Sequence, residues 1–305
     1  MTTLGPISCV TLATPDVQRL VDAYGLYLGH QLIDHGRISP RLARLWARPL
    51  LAGRRYATML PQGDGPTFLR FVESRTPASY KPFCHFGWNA AELMVQDTDA
   101  CAERLANSPF PIIGPPADLS FSDKIRALQA LGPAAESLYL TSFKERLPEF
   151  DTPEARHAID RVFIVILGAP SAAAANAFYS THFGVATAPV IPAVISVLSH
   201  AQQLPVDTLH DLAALTLQGQ SFIEADTMPA TTLPRPAIDG ELPPAIAMVS
   251  FDVESFPSEL DYLAAPQSLP EAPYHGRRAA VCIGAAGEWI ELIERRSSPY
   301  DGRRA

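Results

Sequence analysis

The chain has 305 residues, a net charge of −8 and a pI near 5.5, which excludes the basic surface that nucleic-acid binding needs. A hydrophobic fraction of 47% and a mean hydropathy of +0.06 exclude both a disordered chain and a membrane-embedded one. The length suits two ordinary domains or one large one.

In chain order, the first predicted strand is Ile7-Ser8-Cys9-Val10-Thr11-Leu12, turned at Thr14-Pro15-Asp16. A helix over residues 17–28 follows, with Val17, Leu20, Val21, Tyr24 and Leu28 on one face and Gly29 as its stop. Then come a short strand near residues 31–34, a helical insert over 40–46, and strands over 54–60 and 67–73. A second segment repeats the order: strand 88–95, helix 99–106, Pro111-Ile112-Ile113-Gly114, a helical insert over 122–131, and strand 137–141. Residues 145–156, rich in Pro and charge, read as a linker. The domains are accordingly set at 1–148 and 149–305.

The third segment reads as strand 160–167, helix 171–183 ended by Gly184, helical insert 193–203, and strands 210–217 and 221–225. After a Pro-rich connector (228–244), the fourth reads as strand 245–253, helix 257–263, strand 279–283 and strand 288–294. In that last strand a two-residue period places Trp289, Glu291 and Ile293 on one face and Ile290 and Leu292 on the other. A carboxylate beside Trp289 must be paired, ligated or open to a cavity, because an unpaired buried charge is too costly.

Four strand-helix-strand-strand-strand units in tandem point to duplication of one supersecondary unit. The order βαβββ, with Val10-Thr11-Leu12-Ala13-Thr14-Pro15-Asp16, Glu92-Leu93-Met94-Val95-Gln96-Asp97, Phe178-Tyr179, His182-Phe183-Gly184 and Gly287-Glu288-Trp289-Ile290-Glu291-Leu292-Ile293-Glu294, resembles the vicinal oxygen chelate superfamily. That superfamily includes glyoxalase I, extradiol dioxygenases and bleomycin-resistance proteins. The resemblance implies an α+β fold, in which four modules pair into two incomplete β-barrels with helices outside. It further implies that modules 1 and 2 close one barrel and modules 3 and 4 the other.

The resemblance also implies site positions mid-way along the first and last strands, where metal-bearing members carry His, Gln or Glu. First strands centre on Cys9, Ala90, Arg161 and Met248, and last strands on Arg70, Tyr139, Glu224 and Glu291. The N-terminal set makes no ordinary divalent site, since Ala offers no ligand atom and Arg is a permanent cation. Glu92, on the face of Ala90, is expected to pair with Arg70 or to border a polar cavity. In the C-terminal barrel Glu224 and Glu291 match the pattern, whereas Arg161 and Met248 stand where imidazoles are usual. Three readings follow: an Arg161–carboxylate bridge, a metal-free base, or one divalent metal on Glu224 and Glu291.

The expected catalytic set is therefore Glu291, Glu224 and Arg161. The expected substrate-binding set is Trp289, Phe222, Met248, Tyr274, Arg277 and His210, although each also has an ordinary structural explanation. The cofactor is none or one divalent metal. The implied function is an enzyme of glyoxalase or dioxygenase ancestry, with lyase or isomerase proton-transfer chemistry on a small, largely apolar, oxygen-bearing substrate. The alternatives are a small-molecule sequestering protein of bleomycin-resistance type, an atypical metal-dependent dioxygenase or lyase, and a degenerate scaffold. Partners are a small molecule and, optionally, a second copy in a homodimer, with neither nucleic acid nor membrane. Four scattered cysteines without a CxxC, and an N-terminus with no leader pattern, suggest a cytoplasmic protein.

Overall fold

The computed structural model describes residues 4–120, 122–147 and 151–295. Module 1 comprises β1 (Ile7–Thr14), α1 (Val17–Leu28), β2 (His30–Arg37), α2 (Pro40–Leu45), β3 (Arg55–Pro61) and β4 (Phe68–Glu73). Module 2 comprises β5 (Gly87–Val95), α3 (Thr98–Leu105), β6 (Ile112–Leu119), β7 (Ser122–Leu131) and β8 (Ser137–Phe143). Module 3 comprises β9 (Ile159–Ala169), α4 (Ala172–Phe183), β10 (Ile191–Val194), α5 (Ser196–Ala201), β11 (Leu209–Leu217) and β12 (Ser221–Thr227). Module 4 comprises β13 (Ala245–Val253), β14 (Gln267–Ser268), β15 (Arg278–Ile283) and β16 (Trp289–Glu294).

Local chemistry sets the helix ends. Asp16 caps α1 by accepting the Arg19 N–H, and Ser171 caps α4 by accepting the Ala174 N–H. Both helices stop at a left-handed glycine, Gly29 at φ 71° and Gly184 at φ 66°, where an L side chain would be strained.

The modules form two eight-stranded sheets, as the four-module α+β reading requires, but with different partners. One sheet runs β14-β15-β16-β13-β1-β4-β3-β2 and the other β10-β11-β12-β9-β5-β8-β7-β6. Module 1 thus shares a sheet with module 4 through the antiparallel β1–β13 pair, and module 2 with module 3 through β5–β9. This corrects the expected pairing of consecutive modules. Modules 1 and 2 do pack together, but back to back: the ring of Tyr24 on α1 lies 5.3 Å from that of Phe110 in module 2. The outward faces of both sheets and the apolar faces of α1, α3 and α4 merge into one core containing Val10, Leu20, Leu93, Val165, Tyr179 and Leu292. The boundary expected between residues 148 and 149 lies outside the described residues.

Two expected helices are also corrected. Residues 122–131 form strand β7, held along its length by β8. Its Lys, Arg, Ala, Leu and Gln content favours a helix, but two flanking strands supply hydrogen-bond partners that outweigh a propensity of tenths of a kcal/mol per residue. Residues 257–263 are not helical, because strand β15 captures the end of the segment. Tyr262 bridges to Cys282, and the Leu263 N–H donates to the Val281 carbonyl. No helix among the described residues is long and apolar enough to cross a membrane.

Candidate functional site

Register within each module identifies the equivalent positions. Thr11 lies opposite Arg70, Glu92 opposite Tyr139, Ile166 opposite Glu224, and Ser250 opposite Glu291. The last-strand positions are those read from the sequence. The first-strand ones sit two residues later in modules 1, 2 and 4, and five later in module 3. Because the sheets join modules 1 with 4 and 2 with 3, the expected C-terminal constellation is divided: Glu291 and Glu224 lie in different half-barrels.

In the half-barrel of modules 1 and 4, Glu291 is fully buried and accepts from Trp46 Nε1 at 3.0 Å, Tyr274 Oη at 2.7 Å and Arg70 Nη2 at 2.9 Å, and also from Ser250 Oγ. Arg70 is equally buried and donates to Thr11 Oγ1 from Nε at 3.0 Å and Nη2 at 2.8 Å. Its guanidinium lies 4.9 Å from the centre of the Trp46 ring. Burial pulls the Arg70 pKa down, but the Glu291 carboxylate and the Tyr274 hydrogen bond outweigh it and hold the guanidinium above its ordinary value. Insert α2 brings Leu42, Leu45 and Trp46 into the concavity, where they pack with Met248, Tyr274, Trp289 and Ile293. This half-barrel is filled by its own side chains. The face read for β16 is the observed one, and it is a core face.

The half-barrel of modules 2 and 3 is open. A cavity of about 460 Å³ lies between β6–β7 on one side and β10–α5 on the other. Its polar lining groups include Glu92 on β5, Tyr139 on β8, Gln129 on β7 and Glu224 on β12, and its walls include Ile164, Leu212, Phe143 and Phe222. The difference between the two half-barrels traces to the residue that ends each insert. Trp46 closes α2 and reaches Glu291, whereas Gln202 closes α5 and turns away to the Phe83 carbonyl and the Thr232 hydroxyl. A second depression, over α1 and lined by Asp16, Arg19, Tyr27 and Pro109, is open to solvent.

Desolvation governs the cavity's electrostatics. Burial, and then the charge of Glu224, push the Glu92 carboxyl up to about 8, offset in part by the Thr141 hydroxyl. Burial pushes Glu224 up to about 7. Asp226, two residues along the same strand face, is raised well above the carboxylate range by burial and by both glutamates. Its Oδ1 is buried without a hydrogen-bond partner. Burial and these same acids raise the Tyr139 phenol, which therefore stays a neutral donor. Among the described residues no Lys, Arg or His lines the cavity, and no ion pair involves Glu92, Glu224 or Asp226.

The remaining expected residues fall elsewhere. Arg161 sits near the start of β9 and donates to the carbonyls of Gly219 and Gln220, so it bridges neither Glu224 nor Glu291. Arg277 pairs with Asp252 at 2.9 Å and clamps its own loop through the Tyr274 and Pro273 carbonyls. His210 is buried beside α5, its Nε2 2.9 Å from Ser199 Oγ. Phe222 alone of the expected substrate-binding set lines the cavity. Of the two outcomes expected for Glu92, pairing with Arg70 is corrected because the two lie in different sheets, while its carboxyl does border a cavity. The sequence signal for it was a lone carboxylate within the apolar run of β5.

The superfamily resemblance implies a metal held at these four positions. The donor set does not fit one. Ile166 has no ligand atom, and among the described residues no group of three His, Cys, Asp or Glu side chains is placed to hold an ion.

The sequence matches no known family profile, and no curated protein matches it. Solved structures do share its fold. Glyoxalase I from Zea mays superposes with a TM-score of 0.62 at 15% identity, covering 96% of this chain and 93% of that one. A putative dioxygenase from Bacillus subtilis superposes with a TM-score of 0.60 at 12% identity, covering 97% and 87%. At these identities the likeness establishes the glyoxalase/dioxygenase fold over nearly the whole chain.

Proposed function

We propose that this glyoxalase/dioxygenase-fold chain is an enzyme that performs lyase- or isomerase-type proton transfer on a small, largely apolar, oxygen-bearing molecule. The reaction is placed in the cavity between modules 2 and 3. One observation carries the reading: two carboxyl groups, Glu92 and Glu224, line one cavity, both lifted to the neutral range.

Two interacting acids of this kind titrate as a pair, and near neutral pH the pair holds about one charge. The ionised member serves as general base and the protonated member as general acid. For a substrate with a hydrogen on the carbon beside a carbonyl, the base takes that proton and the electron pair moves to the carbonyl oxygen. The neutral Tyr139 hydroxyl donates to the oxyanion as it forms. Where the same carbon also carries a hydroxyl, the second carboxyl relays that hydroxyl's proton to the first oxygen, and a new carbonyl forms at the hydroxyl-bearing carbon. Return of the abstracted proton to the former carbonyl carbon completes an isomerisation; loss of a β substituent, protonated by the second carboxyl, instead completes an elimination. The apolar walls hold the carbon skeleton and keep water from competing.

The test is turnover. Ligands found by a thermal-shift screen of oxygenated small molecules are assayed for conversion with the parent chain, Glu92→Gln, Glu224→Gln and Glu291→Gln. The reading expects losses of 10²-fold or more for the first two variants, with turnover per folded molecule retained in the third. Tight binding without conversion of any ligand would replace it with the sequestering role.

A further inference from the structure

The two half-barrels are copies of one architecture that meet opposite fates, and the filled one shows what the open one lacks. On β4, the last strand of module 1, Arg70 supplies a cation that Glu291 neutralises at 2.9 Å, bracketed by the rings of Trp46 and Tyr274 at 4.9 and 5.4 Å. On β12, the last strand of module 3, Glu224 occupies the equivalent position, as the registers Thr11–Arg70 and Ile166–Glu224 require. An acid thus stands where the filled half-barrel has its cation, Glu92 stands where that half-barrel has Ser250, and Tyr139 stands where it has Glu291. Glu92 is only 8% exposed, lines the cavity and meets no cation among the described residues. Aromatic faces are again at hand in Tyr139, Phe143 and Phe222.

We propose that the cavity takes a molecule carrying a protonated amine on an apolar, aromatic-sized body, with the ammonium set between Glu92 and Glu224 and the body against the aromatic walls. This deepens the functional reading above, on which it rests for the site but not for the chemistry. Two desolvated carboxyls with no counter-charge repel an anion, gain little from an alcohol, and gain most from a cation that lets both ionise. The rings add cation–π attraction. The cavity's volume is in the range of small-molecule sites and matches a monocyclic or bicyclic amine.

The experiment is calorimetric titration of the purified full chain with three probes of matched shape: 2-phenylethylamine, 2-phenylethanol and 3-phenylpropionate. Each is measured at pH 8 and pH 5.5, and at pH 8 in two buffers of different ionisation enthalpy. The expected result is at least a tenfold preference for the amine over the alcohol at pH 8, with the carboxylate weakest and a proton released as the amine binds. That preference falls below about threefold at pH 5.5, where both glutamates are protonated, and in the Glu92→Gln/Glu224→Gln double variant. Should the double variant not fold, the single variants and the pH comparison carry the test. Equal affinities, a tighter carboxylate, no amine binding at millimolar concentration, or a preference that survives the substitutions would each overturn the proposal. Binding is read without turnover, so an amine that binds but is not converted defeats only the catalytic reading. Turnover that needs both glutamates but shows no amine preference defeats only this one.

Discussion

The Tyr24 hydroxyl donates to Oε1 of Glu136 at 2.8 Å, joining the helix of module 1 to the β7–β8 turn of module 2. The same bond recurs between Tyr179 of module 3 and Oε1 of Glu288 in module 4, at 2.9 Å. In each turn the second carboxyl oxygen accepts the N–H two residues earlier, from Ala134 or Ala286. Each turn also begins with a glycine, Gly132 or Gly284, where a Cβ would sit 1.9 or 2.0 Å from the carboxyl. These twin bonds staple the two sheets together.

Burial raises both carboxyls from the ordinary 4.5 to about 7, against the lowering effect of their donors. Below about pH 4.5 each is protonated in folded and unfolded chains alike, and its contribution is fully present. Between 4.5 and 7 the unfolded chain releases a proton that the folded chain keeps, so stability falls as pH rises, and above about 7 the loss is complete. Glu136→Gln and Glu288→Gln keep a neutral group in place, and the tyrosine hydroxyl can rotate to accept from the amide. Each variant is expected to flatten the decline and to be more stable than the parent at pH 8, by up to about 3 kcal/mol. Urea denaturation at pH 5 and pH 8 reads this directly, and equal pH dependence in parent and variants would refute it.

Glu291 gives the opposite case. It is a fully buried partner of Arg70 with four donors on it, so Glu291→Gln strands a guanidinium in the core. A loss of about 3–5 kcal/mol is expected, measured by chemical denaturation. Ligand affinity in the other half-barrel should stay within about twofold.

Trp46 is the plug of that half-barrel. Trp46→Ala removes a buried indole that both fills the concavity and donates to Glu291. A cost of about 3–5 kcal/mol is expected, together with an apolar void able to take xenon or benzene, visible by ligand-induced thermal stabilisation. A variant as stable as the parent would show that the insert does not fill the site.

The contrast between these two half-barrels measures what the sequence makes legible. Strand faces follow from a two-residue period, so Trp289, Glu291 and Ile293 are readable as one inward face, and Arg70, Tyr139, Glu224 and Glu291 as the four last-strand positions. Which strand edges join is not readable in this way. Backbone N–H and C=O groups form the ladder and carry no side-chain code, so β1 shows no mark that selects β13 over β5. The expected pairing of consecutive modules grouped Glu291 with Glu224, which the sheets place in different half-barrels, and did not group Glu92 with Glu224, beside which it lines the cavity. Arg161 is not mid-strand for a simpler reason: β9 is eleven residues long with its mid-point at Ile164, and the residue opposite Glu224 is Ile166, beyond the charged end.

The cavity pair sets a pH profile for turnover. With Glu92 raised to about 8 and Glu224 to about 7, the singly charged pair is most populated between those values. kcat/KM is expected to rise as pH increases through about 7 and to fall through about 8, a narrow bell reporting the pair and not either residue alone. Glu92→Gln should remove one limb as well as most of the rate. A flat profile from pH 6 to 9 in the parent chain would separate these carboxyls from the chemistry.

Gly114 on β6 tests the shape of the cavity independently of its charge. A Cβ there would stand 1.9 Å from Oε1 of Gln129 and 3.2 Å from Cγ1 of Val197, both of which line the cavity. The obstructing atom is the end of a flexible side chain, so Gly114→Ala displaces Gln129 without straining the backbone. Stability should change by less than about 1 kcal/mol. Affinity for a cavity ligand should fall about tenfold, because the displaced amide is pushed into the space the ligand fills. Gln129→Ala made together with Gly114→Ala removes the collision and should restore most of that affinity if the effect is steric. Equal losses in the single and double variants would instead assign Gln129 a direct hydrogen bond to the ligand.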